Sequence, residues 1–154
     1  MKINKTIYGA IIATVLFGFS VSGSAKEATA PLDAILGVTV GMAETKARDI
    51  LTPLGETAGR DTRSGGRKQG FILKDSRYAW VAYKAGKSGN LKWVSANLRP
   101  GEEVAFGELG DLDLADSVND YQVIWNVARG DTGYRLVAKG QNGKASIVYL
   151  LALD

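Results

Sequence analysis

Short apolar segments separated by turn residues fill most of this chain of 154 residues after position 70. Apolar and polar residues alternate in several of them, which is typical of strands with one buried face. The Gly-containing stretches 130–133 and 140–143 are tight hairpin turns. The predicted strands are 71–73, 78–84, 91–98, 121–128, 134–139 and 145–153. The last is apolar on both faces, so we expect it inside the sheet, or against a helix on one face and a partner on the other.

One helical pattern precedes the strands. Met42, Ala47, Ile50 and Leu51 have helical spacing, and Pro53 follows them as a stop signal. A second short helix is predicted at 31–36, and the polar stretch 55–70 is predicted to be a loop or a loose hairpin tip. The sequence therefore predicts an α+β domain, with one or two short helices packed on an antiparallel sheet built of two three-stranded meanders. Residues 26–154 form this single domain, in which 32–100 and 101–154 are a candidate degenerate repeat.

The first 25 residues have the pattern of a secretory signal peptide. Lys2 and Lys5 precede an apolar run at 7–21, and small residues lead to a cleavage site after Ala25. An uncleaved membrane anchor is the alternative, but the run is shorter than the roughly 20 apolar residues that span a bilayer. We therefore expect a periplasmic or secreted protein with no stable membrane insertion after cleavage.

The chain contains neither Cys nor His. This composition excludes thiol nucleophiles, disulfides and imidazole-based catalysis, and it removes the usual zinc ligands. The stretch 111–116 has the opening spacing of a calcium loop in Asp111 and Asp113, but Ala115, Asp116 and Gln122 stand where the loop needs an oxygen ligand, Gly and Glu. An acidic solvated loop is therefore favoured over a weak Ca²⁺ site. We expect no catalytic residues, no cofactor and no metal, and hence no enzymatic activity.

Charge is distributed unevenly along the mature chain. Residues 26–100 carry 13 basic and 7 acidic residues, a net charge of +6, whereas residues 101–154 carry 4 basic and 9 acidic residues, a net charge of −5. This asymmetry predicts either an electropositive face for an anionic partner or two faces that complement each other. Nucleic acid is excluded as a partner by the predicted export and the near-neutral mature chain.

Two groups of residues are candidates for contact with a partner. The first is the basic stretch 60–68, because loops on rigid scaffolds often bind partners and Arg suits carboxylate or phosphate recognition. The second is aromatic, since Tyr and Trp on an exposed sheet make good anchors; burial in the core is the favoured alternative for most of them. The candidate residues are Arg60, Arg63, Arg67, Lys68, Tyr78, Trp80, Tyr83 and Trp93.

Three short motifs carry a family resemblance. They are Leu-Gly-Val-Thr-Val-Gly-Met at 36–42, Ala-Arg-Asp-Ile-Leu at 47–51 and Pro-Leu-Gly at 53–55. Together with the meander that follows, they resemble the opening of the BamE/SmpA-like and beta-lactamase-inhibitor-protein-like families of small exported domains. This resemblance implies a non-enzymatic protein that binds other proteins through its sheet and hairpin loops.

The sequence thus favours an exported protein-binding or inhibitor-like module. The partner is expected to be another exported or envelope protein, or an anionic envelope polymer. A periplasmic carrier of a small molecule or lipid is the alternative function.

Overall fold

The computed structural model describes residues 28–61, 67–130 and 132–153. The predicted signal peptide at 1–25 lies outside these residues. The predicted α+β class is wrong, because the fold is mostly β, with 55% strand, 15% helix and one nine-stranded antiparallel sheet. Each of the two predicted three-stranded meanders contains a fourth strand, and the two resulting four-stranded meanders belong to a single sheet.

The first half consists of one helix and a four-stranded meander. Helix α1 spans Glu44–Leu51 and is followed by a 3-10 turn at Thr52–Leu54. The strands are β1 (Gly55–Asp61), β2 (Arg67–Leu73), β3 (Tyr78–Ala85) and β4 (Leu91–Leu98).

The second half has less helix and a second four-stranded meander. It begins with strand β5 (Val104–Ala105), helix α2 (Phe106–Leu109) and a 3-10 turn at Leu112–Leu114. The meander is β6 (Ser117–Asn119), β7 (Gln122–Arg129), β8 (Thr132–Gln141) and β9 (Lys144–Leu153).

The strand order is β1-β2-β3-β4-β9-β8-β7-β6, and β5 pairs with the start of β9. The final strands of the two meanders, β4 and β9, are therefore neighbours at the centre. This order places the basic half of the chain at one end of the sheet and the acidic half at the other. Whether the halves are a sequence repeat stays a prediction.

Two segments for which no strand was predicted contain edge strands of the sheet. The stretch 55–70 contains β1 and the start of β2, and the segment just before the predicted strand 121–128 contains β6. All three residues of β6 are exposed, and β1 is exposed from Glu56 to Gly59. An edge strand exposed on both faces has no apolar alternation, so its backbone pairing leaves no pattern in the sequence.

The predicted helix at 31–36 is also absent. Ile35 and Val38 pair with each other across a tight turn in which Leu36 and Gly37 have φ values of 53° and 80°. A left-handed conformation at two successive residues is incompatible with a helix. Ile35 and Val38 are instead fully buried in the core.

The hydrophobic core lies on one face of the sheet. A cross-strand row of paired residues, Phe71, Val81, Ala96, Val148, Ala138 and Val123, runs from β2 to β7 on this face. Ala47 and Leu51 of α1 and Phe106 and Leu109 of α2 belong to the same buried cluster. Both helices therefore cover this core face, which leaves the opposite face for other contacts.

Candidate functional site: an aromatic sheet face

The sheet face opposite the helices is rich in aromatic and aliphatic side chains. We call it the open face. Its residues on β2, β3 and β4 are Lys68, Gly70, Ile72, Trp80, Ala82, Lys84, Trp93, Ser95 and Asn97. On β9, β8 and β7 they are Ile147, Tyr149, Leu151, Arg135, Val137, Lys139, Gln122, Ile124 and Asn126. The buried cluster that includes the helices contains none of these residues.

Large side chains on this face retain access to solvent. Ile72 is 54% exposed, and Trp80, Trp93, Tyr149 and Leu151 are partly exposed. Backbone hydrogen bonds between neighbouring strands fix the positions of these residues, so the rings project from a rigid surface. Trp and Tyr in such positions offer large contact area at little cost in conformational entropy.

Trp80 lies flat against the sheet because Gly70 provides space for its ring. A Cβ atom at Gly70 would overlap the six-membered part of the Trp80 indole. Gly70 is opposite Ala82 in the β2–β3 register, so both positions beside Trp80 are small. The outer surface of the indole is thereby turned toward solvent.

Two cations lie beside aromatic rings of the open face. Lys68 Nζ is 5.5 Å from the centre of the Trp93 ring, and Lys139 Nζ is 5.8 Å from that of Tyr149. Cation–π contacts at exposed sites contribute about 0.5–1 kcal/mol each. They hold the ammonium groups close to the apolar surface instead of in bulk solvent.

The interior strands of the open face carry four cations. Lys68 and Lys84 lie on β2 and β3, and Arg135 and Lys139 lie on β8. None of the open-face positions on β2, β3, β4, β9, β8 or β7 is Asp or Glu, but the edge strand β1 places Asp61 opposite Lys68 and Glu56 opposite Ile72. The nearest acidic contribution to Arg135 is Asp116, whose pKa is lowered first by the backbone N–H of Asn126 and also by the charge of Arg135. An aromatic and aliphatic centre is thus flanked by cations at both ends.

Three of the predicted contact residues lie together on this face: Lys68, Trp80 and Trp93. Burial in the core was favoured for most aromatic candidates, but Trp80 and Trp93 are only partly buried. Trp125 is the tryptophan that lies in the core, with 1% exposure.

Two predicted aromatic residues lie away from the open face. Tyr83 is fully buried on the core face and donates its hydroxyl proton to Gln69 Oε1 at 3.0 Å. Tyr78 packs against the core because a register shift between Tyr78 and Trp80 inserts Ala79 and reverses the alternation of β3. Burial raises the pKa of Tyr78.

The predicted basic residues are also divided. Arg67 forms an ion pair with Glu44, which is only 4% exposed at the start of α1. The backbone of Arg60 pairs with Gln69 on β2, and Arg63 lies outside the described residues. The Arg67–Glu44 ion pair therefore links the β1–β2 hairpin to α1. Among the predicted basic residues that the structure describes, only Lys68 lies on the open face.

Sequence reasoning missed most of the open face contributed by β8 and β9. The two-sided apolar character of 145–153 was a usable signal, since Ile147, Tyr149 and Leu151 face outward and Val148 and Leu150 face the core. Arg135 and Lys139 gave no signal alone. They become part of the site only because β8 pairs with β9 and β9 with β4.

Other features of the described residues offer less chemistry. A cavity of about 760 Å³ borders the open face and is lined largely by polar residues, among them Tyr121, Gln141, Asn142 and Ser146. In the described ranges, no group of three or more Asp or Glu side chains could hold a metal ion. None of the helices in these ranges is long and apolar enough to cross a membrane.

Comparisons with protein-family models, curated proteins and solved structures found no match for this chain.

Proposed function

We propose that this protein is an exported, non-enzymatic protein-binding module that docks its partner on the open face. The single observation that carries this proposal is the rigid, partly exposed cluster of Trp80, Trp93, Tyr149 and Leu151 on a face outside the hydrophobic core. Exposed Trp and Tyr anchors are typical of protein interfaces, in which Trp, Tyr and Arg carry much of the binding energy.

A protein partner is favoured over a lipid or a small molecule because the open face is a broad surface. Its rows extend over six strands, and neighbouring strands are about 4.8 Å apart, so the surface is about 24 Å wide. This width suits a protein contact, whereas a lipid chain requires an apolar cavity. The absence of Cys and His from the whole chain agrees with a binding role.

Site-specific photo-crosslinking in the native host tests the proposal. A photoreactive amino acid at Asn97, exposed on the open face, is expected to give an adduct with one partner protein. The matched control places the same group at Thr45, which is exposed on α1 on the opposite side of the sheet. High salt is expected to reduce the adduct because the flanking cations contribute to docking.

The proposal is contradicted by equal protein adducts from both positions, or by none from Asn97. Adducts containing only lipid or polysaccharide at Asn97 also contradict it.

A further inference from the structure

We propose, on the basis of the proposed function, that the partner presents an extended acidic segment to the open face. In this segment, two acidic side chains flank one apolar side chain at positions i, i+2 and i+4. The inference is carried by one cross-strand row and by the separation of the Cα atoms of two of its cations, Lys84 and Arg135.

The row contains Lys68, Lys84, Trp93, Leu151 and Arg135, which are successive neighbours on β2, β3, β4, β9 and β8. Lys84 and Arg135 are therefore separated by three strand intervals. At about 4.8 Å per interval, the Cα atoms of Lys84 and Arg135 are about 14 Å apart. Between Lys84 and Arg135 lie the side chains of Trp93 and Leu151, and the Lys68 ammonium is 5.5 Å from the centre of the Trp93 ring.

An extended polypeptide matches this spacing. It advances about 3.4 Å per residue and directs every second side chain to the same side, so residues i and i+4 are about 14 Å apart and face the same way. Residue i+2 then lies over the apolar pair. Acidic residues at i and i+4 reach the two cations while an apolar residue at i+2 contacts Trp93 and Leu151.

A helix matches the row less well. A separation of about 14 Å along a helix corresponds to about nine residues, and nine residues at 100° each place the two side chains on opposite sides. The geometry therefore favours a partner segment without helical structure.

The segment must cross the strands instead of adding to the sheet. Strands β3, β4, β9 and β8 each have a hydrogen-bonded neighbour on both sides. Their backbone groups are already paired, so recognition depends on side chains. This distinguishes the contact from strand addition, which requires a free edge such as β1 or β6.

Both cations have capacity for a carboxylate. Lys84 forms no ion pair with any residue in the described ranges. Arg135 donates its Nε–H to Asn126 Oδ1 at 2.7 Å, which orients the guanidinium group and leaves its terminal nitrogens for other acceptors. Arg is suited to this role because its planar fork binds carboxylates in a bidentate manner.

Synthetic peptides test the spacing on the mature chain. The matched peptide contains Glu-Ser-Leu-Ser-Glu between neutral flanks and carries a terminal fluorophore for anisotropy. A first comparison peptide, Glu-Glu-Leu-Ser-Ser, has the same composition with adjacent acids, and a second, Glu-Ser-Ser-Ser-Glu, lacks the apolar residue. We expect the matched peptide to bind at least threefold more tightly than either, which is within the effect of one or two exposed charge pairs.

Charge exchange then assigns the cations. Lys84→Glu is expected to weaken the binding of the matched peptide by roughly two- to fivefold or more. The peptide Lys-Ser-Leu-Ser-Glu is expected to bind this variant better than it binds the unchanged protein. The control variant is Lys87→Glu, which makes the same charge change in the exposed β3–β4 turn. It is expected to leave the order of peptide affinities unchanged.

Three results would overturn the inference. They are equal affinity for the matched peptide and its adjacent-acid isomer, equal effects of Lys84→Glu and Lys87→Glu, and no binding of the matched peptide at about 1 mM. These results leave the proposed function separately testable, because crosslinking from Asn97 does not depend on the spacing of acids in the partner. Protein adducts at Asn97 without a spacing preference would retain docking and reject the extended acidic segment.

Discussion

The indole of Trp80 occupies the space that a side chain at Gly70 would otherwise fill. Gly70 is paired with Ala82 on β3, and Trp80 is paired with Ile72 two positions further along the same two strands. The ring therefore lies diagonally across the β2–β3 pair. One glycine thus determines how the aromatic surface of the open face is presented.

Gly70→Ala is expected to displace the Trp80 ring into solvent and to lower the free energy of unfolding by about 1–3 kcal/mol, as overpacking typically does. Urea unfolding measures the loss, and a red shift of tryptophan emission reports the exposed ring. Gly107→Ala is the control, because a Cβ there meets only Leu112 at ordinary contact distance. Equal effects of the two substitutions would contradict the close packing of Trp80 on Gly70.

Tryptophan substitutions are expected to separate stability from binding. Trp125 is 1% exposed and donates its indole N–H to the Asp111 carbonyl at 2.8 Å, so Trp125→Ala should cost about 3–5 kcal/mol of unfolding free energy. Trp93 is only partly buried, so Trp93→Ala should cost no more than about 2 kcal/mol. Thermal and urea unfolding of both variants check this order.

Arg67→Ala is expected to lower the free energy of unfolding by about 1–3 kcal/mol, because it leaves the buried Glu44 carboxylate without its cation. Glu44 Oε1 already lacks a hydrogen-bond partner among the described residues, which increases its dependence on Arg67. Combining Glu44→Gln with Arg67→Ala should recover part of the loss by removing the buried charge.

Lys46→Ala on the exposed side of α1 is the control for Arg67→Ala. It should change the free energy of unfolding by less than about 0.5 kcal/mol. If it destabilises as much as Arg67→Ala, the Glu44–Arg67 pair has no special role.

Asp116 is expected to contribute to the pH dependence of stability. The backbone N–H of Asn126 donates to Asp116 Oδ2 at 2.6 Å, and this hydrogen bond lowers the Asp116 pKa below its ordinary value of 3.8. A carboxyl whose pKa is lower in the folded state adds stability above its unfolded pKa. That contribution is lost as the pH falls through the folded pKa.

Asp116→Asn should therefore reduce the melting temperature at neutral pH and flatten its decline between about pH 5 and about pH 2. Asp113→Asn, in the same acidic segment, is the comparison, since the Asp113 carboxylate forms no hydrogen bond or ion pair with the described residues. Parallel acid curves for the unchanged protein and Asp116→Asn would argue against the Asn126 hydrogen bond.

The predicted signal peptide leads to a further expectation. Protein isolated from its native host should begin near Lys26, because the small residues before it form the predicted cleavage site. Intact-mass measurement of the exported fraction checks this. Full-length chain recovered with membranes would contradict cleavage.

The sequence by itself determined the interior strands and the main helix. The predicted strand 91–98 coincides with β4, Leu91–Leu98, and the predicted helix at 42–51 overlaps α1, Glu44–Leu51. These elements alternate or repeat their apolar residues over enough positions for local periodicity to reveal the buried face.

Only the tertiary structure decided which residues share a face. Ala79 and Lys92 each occur at a register shift, and each reverses the alternation, so Tyr78 is separated from Trp80 and Leu91 from Trp93. A strand bulge of this kind has no necessary sequence signal. Strands β1 and β6 also lack a sequence signal, because most of their residues are exposed. Only backbone pairing with β2 and β7 makes these segments strands.

The open face itself depends on contacts between distant parts of the chain. Trp93 and Leu151 are neighbours only because β4 pairs with β9, and Arg135 joins them through β8. Local patterns specify how each strand alternates, but they carry no information about which strands become neighbours. That choice is made by the burial of the core face under α1 and α2, and it assembles the aromatic and basic residues of the opposite face into one surface.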